Sequence, residues 1–371
     1  MPSNAIILDN LVKLTRAALP DPKGGKMKTI VFAALALILL SLTFAPSYAP
    51  GQDPKAPSGS LAEPHHQAVL PGLLHTGQRL WDKGYLVSWG SWGSGEASPN
   101  EPSVVLYDRD GHIAREGIVW FKDAYSVSIT DVAINRSGNL VVSGGTENGA
   151  GVIANFIAFI GKDGRMSQVI RTTPFLPIHV CAAEDGTVWS YGFDRDDEGR
   201  RVESSLMLRQ YSFEKGQLRA MADKATLNSP GWVLYDGRYL GEISLRCNSQ
   251  KVSLYNGGSG ELLEFDLLAN KLNVAKVNPL PQPKVMRILG FAMTDSGDIF
   301  VSLHDKSSNT PRTGLFRLAF DSTGVGSWVP VTNTVAPHPK WMIRNLLGAD
   351  GTDLVYTRDV DGIAYWSKFV K

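Results

Sequence analysis

The chain has 371 residues, 43% hydrophobic and 20% charged, with 37 Lys/Arg against 36 Asp/Glu for a formal charge of +1. That balance gives no electrostatic footprint for nucleic acid. No run of like charge is long enough to read as a tail or a membrane-binding patch.

In chain order, Lys26, Met27 and Lys28 precede an apolar run over 29–44, followed by Ala45-Pro46-Ser47-Tyr48-Ala49. A basic start, a short apolar stretch and small residues at 47 and 49 read as a secretory signal peptide over 27–49, cleaved after Ala49. The run falls short of the roughly 20 residues of a spanning helix. A secreted or periplasmic product with no stable membrane insertion after cleavage is expected, a retained anchor being the alternative. Residues 1–26 read as a start site placed too early, upstream of Met27. Residues 1–49 carry five Lys/Arg and two Asp/Glu, so the remainder has a formal charge of −2. Pro50, Pro54, Pro57 and Pro64 mark residues 50–66 as a flexible tether, with the globular domain over 67–371.

From there on, short Val/Ile/Leu/aromatic segments alternate with Gly, Asn, Asp and Ser turns. A tight-turn pattern recurs at Asp82-Lys83-Gly84, Arg136-Ser137-Gly138, Glu184-Asp185-Gly186, Asn248-Ser249-Gln250, Asp295-Ser296-Gly297 and Asp350-Gly351. Positions 84, 138, 186, 249, 297 and 351 are spaced by 54, 48, 63, 48 and 54 residues, the length of a four-stranded propeller blade. A second turn follows in five repeats, at Asp110-Gly111, Asp163-Gly164, Lys215-Gly216, Ala269-Asn270 and Thr323-Gly324, and two hairpins make four strands. The sixth repeat supplies three strands before Lys371, and residues 67–71 are free to provide the fourth. The prediction is an all-β, six-bladed β-propeller of four-stranded antiparallel blades, the last closed by an N-terminal strand, which leaves no exposed edge in the ring.

All short turns then fall at one end of the ring. The long connections, among them 90–102, 144–155, 192–205, 225–238 and 332–341, fall at the other, where binding is expected. Trp89, Trp92, Trp120, Trp232 and Trp341 lie in or beside those loops, with His179, Arg238, His304 and Arg344 as polar partners. Trp and Arg are enriched in binding hot spots, whereas Trp189 and Trp366, inside strands, read as filler between blades. Asp194, Asp196 and Glu198, followed by Gly199, match the first half of a calcium loop, but the twelfth position is Ser205 instead of Glu. Cys181 and Cys247 fall in the innermost strands of neighbouring blades. An oxidising compartment permits a disulfide. Counted from their turns, however, the two differ in height by about 10 Å, beyond disulfide reach, so two buried thiols are predicted.

The hairpin rule is clearest in Val132-Ala133-Ile134-Asn135-Arg136-Ser137-Gly138-Asn139-Leu140 and Phe291-Ala292-Met293-Thr294-Asp295-Ser296-Gly297-Asp298-Ile299. On these segments, residues 67–371 resemble six-bladed propellers of the broad group that holds NHL-repeat proteins and gluconolactonase-like hydrolases. For the hydrolases the resemblance implies one divalent metal in the channel, bound by an early Glu in a Glu-Gly-Pro context with Asn and Asp from other blades. This chain has no Glu-Gly-Pro. It also lacks Gly-x-Ser-x-Gly and His-Glu-x-x-His. The expectation is therefore an exported, monomeric, non-enzymatic binding or scaffold propeller with a protein or glycan partner and no cofactor. The alternative is a metal-dependent hydrolase or lactonase using calcium or another divalent ion, with His179, Asp194, Glu147 and His304 as candidate ligands.

Overall fold

A computed structural model describes residues 59–70, 77–90, 100–202, 204–223, 243–257, 260–278, 286–305, 313–332, 343–358 and 362–371. They form six antiparallel sheets arranged as the blades of a propeller.

Blade 1 holds β3 (Gly77–Asp82), β4 (Tyr85–Gly90), β5 (Val104–Tyr107) and β6 (Ile113–Gly117). Blade 2 holds β7 (Ser126–Ile134), β8 (Leu140–Glu147), β9 (Ile153–Ile160) and β10 (Met166–Arg171). Blade 3 holds β11 (Phe175–Ala182), β12 (Val188–Asp194), β13 (Leu208–Ser212) and β14 (Gly216–Met221). Blade 4 holds β15 (Ile243–Cys247), β16 (Lys251–Asn256), β17 (Glu261–Asp266) and β18 (Lys271–Lys276). Blade 5 holds β19 (Met286–Met293), β20 (Ile299–Asp305), β21 (Thr313–Phe320) and β22 (Gly326–Pro330). Blade 6 holds β23 (Ile343–Asp350), β24 (Asp353–Arg358) and β25 (Ile363–Val370), completed by β1 (Ser60–Leu61) and β2 (His66–Val69), which both pair with β25.

The ring thus closes as the sequence predicts, with His66 opposite Trp366 and Val69 opposite Ile363. Pairing reaches further back than residue 67, because Ser60 and Leu61 lie opposite Val370 and Phe369.

The turns fold as their composition dictates. A leading Asn or Asp accepts two backbone N–H bonds, as Asn135 does from Ser137 and Asn139 and Asp321 does from Thr323 and Val325. A glycine with positive φ, Gly138 or Gly324, then completes the reversal at no steric cost.

Alternation along each strand sends its side chains to two different interfaces. Leu140 and Val142 pack against blade 1 with Leu80 and Val87, whereas Val141 packs against blade 3 with Val180 and Val188. Each of the six blade interfaces holds one such apolar cluster, so the core is distributed around the ring. Trp189 fills the interface of blades 3 and 4 and Trp366 that of blades 6 and 1, as expected. Trp89 corrects the sequence reading: it is 2% exposed and packs with Val87 and Leu106 between blades 1 and 2.

The cysteines bring a second correction. Cys181 and Cys247 form a disulfide, with Cα atoms 5.6 Å apart, between the innermost strands of blades 3 and 4. Height must be counted from the end of the strand, not from the turn residues, since the two turns differ in length. Cys247 is the last residue of β15 and Cys181 the next to last of β11, an offset of one residue.

Candidate functional site: the channel wall at Asp131 and His179

In every blade the first strand lies at one end of its sheet. Among the described residues its inner edge has no strand partner, and it faces the central channel, so its N–H and C=O groups must be satisfied by other means. Side chains from the preceding blade do this for β7 and β11. Asp82 accepts from Ile134 N at 2.7 Å. Asp131 accepts from Val180 N at 3.1 Å and, within its own strand, from Val132 N at 2.9 Å. Lys83 Nζ donates to Ile134 O at 2.9 Å and Ala182 O at 2.7 Å, with Glu184 at 3.8 Å. Thr130 donates to Pro177 O at 2.7 Å.

These groups place polar atoms on the channel wall at blades 1 to 3. Asp131 is 5% exposed and sits next to a bulge between Ile129 and Asp131 in β7. A matching bulge in β11 lies between Pro177 and His179. The two bulges turn one carboxylate and one imidazole towards each other across the blade boundary, with His179 Nδ1 at 3.2 Å from Asp131 Oδ2. A carboxylate only accepts, so Nδ1 carries a hydrogen, and whenever the ring is neutral Nε2 presents a lone pair. Nε2 is enclosed and has no hydrogen-bond partner among the described residues. Tyr191, opposite His179 in the register, stacks near the ring with centroids 6.3 Å apart. Burial pushes the Tyr191 hydroxyl up to about 12, against a smaller opposing effect of the Arg201 guanidinium. It is therefore neutral throughout the physiological range.

Arg246, on β15 of blade 4, is a further cation near an inner edge. Its Nη1 donates to Leu245 O at 2.8 Å, while its Nε is enclosed without a partner among the described residues. Blade 4 stands opposite blade 1 in a six-membered ring, and Arg246 acts electrostatically on Asp82. Desolvation raises the Asp82 carboxyl above the ordinary range, with Lys83, the Ile134 N–H and Arg246 opposing and Asp131 adding to it.

His179 is the sequence-predicted residue that takes part in this arrangement. Trp120 is half-buried in the β6–β7 connection. Trp92, Trp232, Arg238 and Trp341 lie outside the described residues, and His304 and Arg344 lie on β20 and β23 without described side chains. Glu147 is exposed at the end of β8.

The acidic loop after β12 is held together by arginines. Asp194 meets Arg209 at 2.6 Å, and Asp196 and Glu198 both meet Arg200 at 2.8 Å. Among the described residues, the His/Cys/Asp/Glu group with metal-compatible spacing is Asp108, Asp110 and His112, at an outer turn of blade 1 and away from the channel. Asp82, Asp131, Lys83 and Arg246 escaped the sequence reading. The available clue was a charged residue inside or directly after an otherwise apolar inner strand.

No family model matches the chain, and no curated protein matches it in sequence. Similar solved structures include a Bacteroides fragilis protein described as exported, at TM-score 0.52 and 11% identity, covering 86% of this chain and 98% of that one. Others are a gluconolactonase of Xanthomonas campestris (TM-score 0.42, 16% identity, 85% and 98% covered) and a luciferin-regenerating enzyme (TM-score 0.44, 11% identity, 82% and 95% covered). At these identities the likeness to the Bacteroides fragilis structure shows a shared propeller fold and nothing finer.

Proposed function

We propose that this protein is an exported, non-enzymatic propeller that binds a small ligand in its central channel at His179. Export is supported by the signal-like segment over 27–49 and by the Cys181–Cys247 disulfide, a bond that persists in oxidising compartments. The observation that carries the binding reading is the Asp131–His179 pair. Asp131 is immobilised by two backbone N–H groups and fixes the imidazole through Nδ1, which leaves Nε2 enclosed and unpartnered. An oriented ring with one unpartnered acceptor is a preorganised recognition group for a ligand that displaces the atoms enclosing it. The oxygens of Asp131 already receive three N–H donors, a use that favours holding the imidazole over ligating a metal.

The test is a thermal-shift screen of small metabolites against the native protein and His179→Ala. A ligand at 100 times its Kd adds about 2.7 kcal/mol of stability, so a shift of several degrees is expected for the native protein and none for the variant. A screen in which every hit stabilises both proteins equally overturns the assignment.

A further inference from the structure

We infer that the tip of the β8–β9 hairpin is a site of spontaneous covalent modification, at which the main-chain nitrogen of Gly149 attacks the side-chain amide of Asn148 and converts it to aspartate and isoaspartate. This goes beyond the channel reading and does not depend on it. An asparagine followed by glycine is the pair most open to this reaction, because glycine has no side chain to shield its nitrogen. The chain contains two such pairs, Asn148-Gly149 and Asn256-Gly257.

The fold separates them. Asn256 is 0% exposed at the end of β16, between Ile243 and Glu261 in the register, and Gly257 is buried as well. Water, which must take the proton of the attacking nitrogen and later hydrolyse the intermediate, does not reach that pair. Asn148 instead follows β8 at a hairpin tip, half-buried, with residues 149–153 exposed. Its Oδ1 accepts from Ala150 N at 3.0 Å and from Val152 N at 2.9 Å. Such an Asx turn folds the side chain back over its own main chain, towards Gly149. The two N–H groups also point at the oxygen on which negative charge develops when a nitrogen adds to Cγ. Asn135 provides the internal comparison. It makes the same turn, with Ser137 N at 3.0 Å and Asn139 N at 2.9 Å, but is followed by Arg136, whose side chain crowds the attacking nitrogen.

The steps balance with water as the only co-reactant. The Gly149 N–H proton passes to solvent hydroxide as the nitrogen bonds to Asn148 Cγ. The bond from Cγ to the amide nitrogen then breaks, and that nitrogen takes a proton from water and leaves as ammonia. Water opens the resulting succinimide at one of two bonds. Cleavage between Gly149 N and Cγ restores the main chain with aspartate at position 148, whereas cleavage between Gly149 N and the main-chain carbonyl carbon leaves isoaspartate. Both products place a carboxylate next to Glu147, and isoaspartate lengthens the main chain of the hairpin tip by one carbon.

The experiment is peptide mass mapping of the full exported chain after incubation in mildly alkaline buffer, folded and in guanidinium chloride, for the native protein, Asn148→Gln and Gly149→Ala. In the folded protein Asn148 is expected to gain one mass unit at least tenfold faster than Asn256, and in denaturant the two are expected to react at similar rates. Gly149→Ala is expected to slow the reaction at least fivefold with an unchanged melting temperature, because its Cβ meets no atom within 4 Å and the site needs no positive φ. Asn148→Gln is expected to remove the signal from its peptide, and a signal that persists there overturns the assignment to this residue. A folded-state rate at Asn148 no higher than that at Asn256 overturns the inference. So does a rate tenfold below that of Asn148 in denaturant, which would show that the turn protects the amide. An unchanged rate in Gly149→Ala overturns Gly149 N as the attacking atom.

Discussion

Lys83 Nζ donates to the carbonyl of Ala182, 99 residues further along the chain, at 2.7 Å. The same ammonium donates to Ile134 O at 2.9 Å, so one side chain from blade 1 ties the inner edges of blades 2 and 3 at the short-turn end. Lys83→Met keeps the apolar stem and removes both bonds, leaving two carbonyls to water or to nothing. Hydrogen bonds to a charged group contribute about 1.5–3 kcal/mol, so we expect a loss of about 3 kcal/mol in urea unfolding with an unchanged m value. A loss below about 0.5 kcal/mol, the range of neutral surface changes, would show that the clamp carries no stability.

Cys181 and Cys247 close a segment spanning 66 positions. The chain-entropy argument gives about 4 kcal/mol for a loop of that length. Cys181→Ala together with Cys247→Ala is expected to lower stability by this order, and reducing agent is expected to destabilise the native protein but leave the double variant unaffected. A double variant as stable as the oxidised protein would mean that packing of Leu245, Trp189 and Tyr191 alone fixes this interface.

The Asp82 carboxyl is raised above its ordinary 3.8 chiefly by desolvation. Between 3.8 and that higher folded value the native state binds more protons than the unfolded chain, so stability falls as pH rises through the folded pKa. Lys83, Arg246 and the Ile134 N–H oppose this and Asp131 adds to it. Asp350, also raised by burial, contributes with the same sign. Asp108, Asp196 and Asp321 are lowered by hydrogen bonds, so their contributions are lost only as pH falls below 3.8 and do not overlap this window. In Asp82→Asn the amide oxygen still accepts from Ile134 N, so the fold is retained. Its stability is expected to decline less than that of the native protein from about pH 4 to 7, the range just above an ordinary carboxylate. Parallel profiles would place the Asp82 titration at the ordinary value.

The architecture was legible because turn chemistry is local. The Asx-type bonds at Asn135 and Asp321 and the positive φ of Gly138 and Gly324 need only four or five consecutive residues, and their spacing counts the blades. The site was legible only at His179. Asp131, Asp82 and Arg246 act through partners 49, 52 and 164 residues away respectively, for Val180, Ile134 and Asp82, and no local pattern records that the inner edge of a first strand needs acceptors from the preceding blade. The disulfide was misread for a related reason: residue heights in neighbouring blades follow strand ends, and the two turns differ in length.

Close approach of the inner strands can be tested at Gly290. A Cβ added there would meet Leu346 O at 2.0 Å and the Leu346 carbonyl carbon and nitrogen at 2.8 Å. All three are backbone atoms of the neighbouring inner strand, and Leu346 N is fixed by a 3.1 Å bond to Ser302 Oγ. Neither strand can yield without separating blades 5 and 6, which share the cluster of Ala292, Phe300, Leu346 and Leu354. Overpacking against side chains alone costs about 1–3 kcal/mol, so Gly290→Ala is expected to lose about 3 kcal/mol or more. Gly145→Ala is the matched control, because its new Cβ would meet Asn155 Oδ1 at 3.4 Å and Ile153 Cγ2 at 3.9 Å, ordinary contact distances. That variant is expected to stay within about 1 kcal/mol of the native protein, since a strand alanine also has less chain entropy to lose than glycine. Equal stabilities for the two variants would mean that blades 5 and 6 separate readily, and that the ring is held by the remaining interfaces.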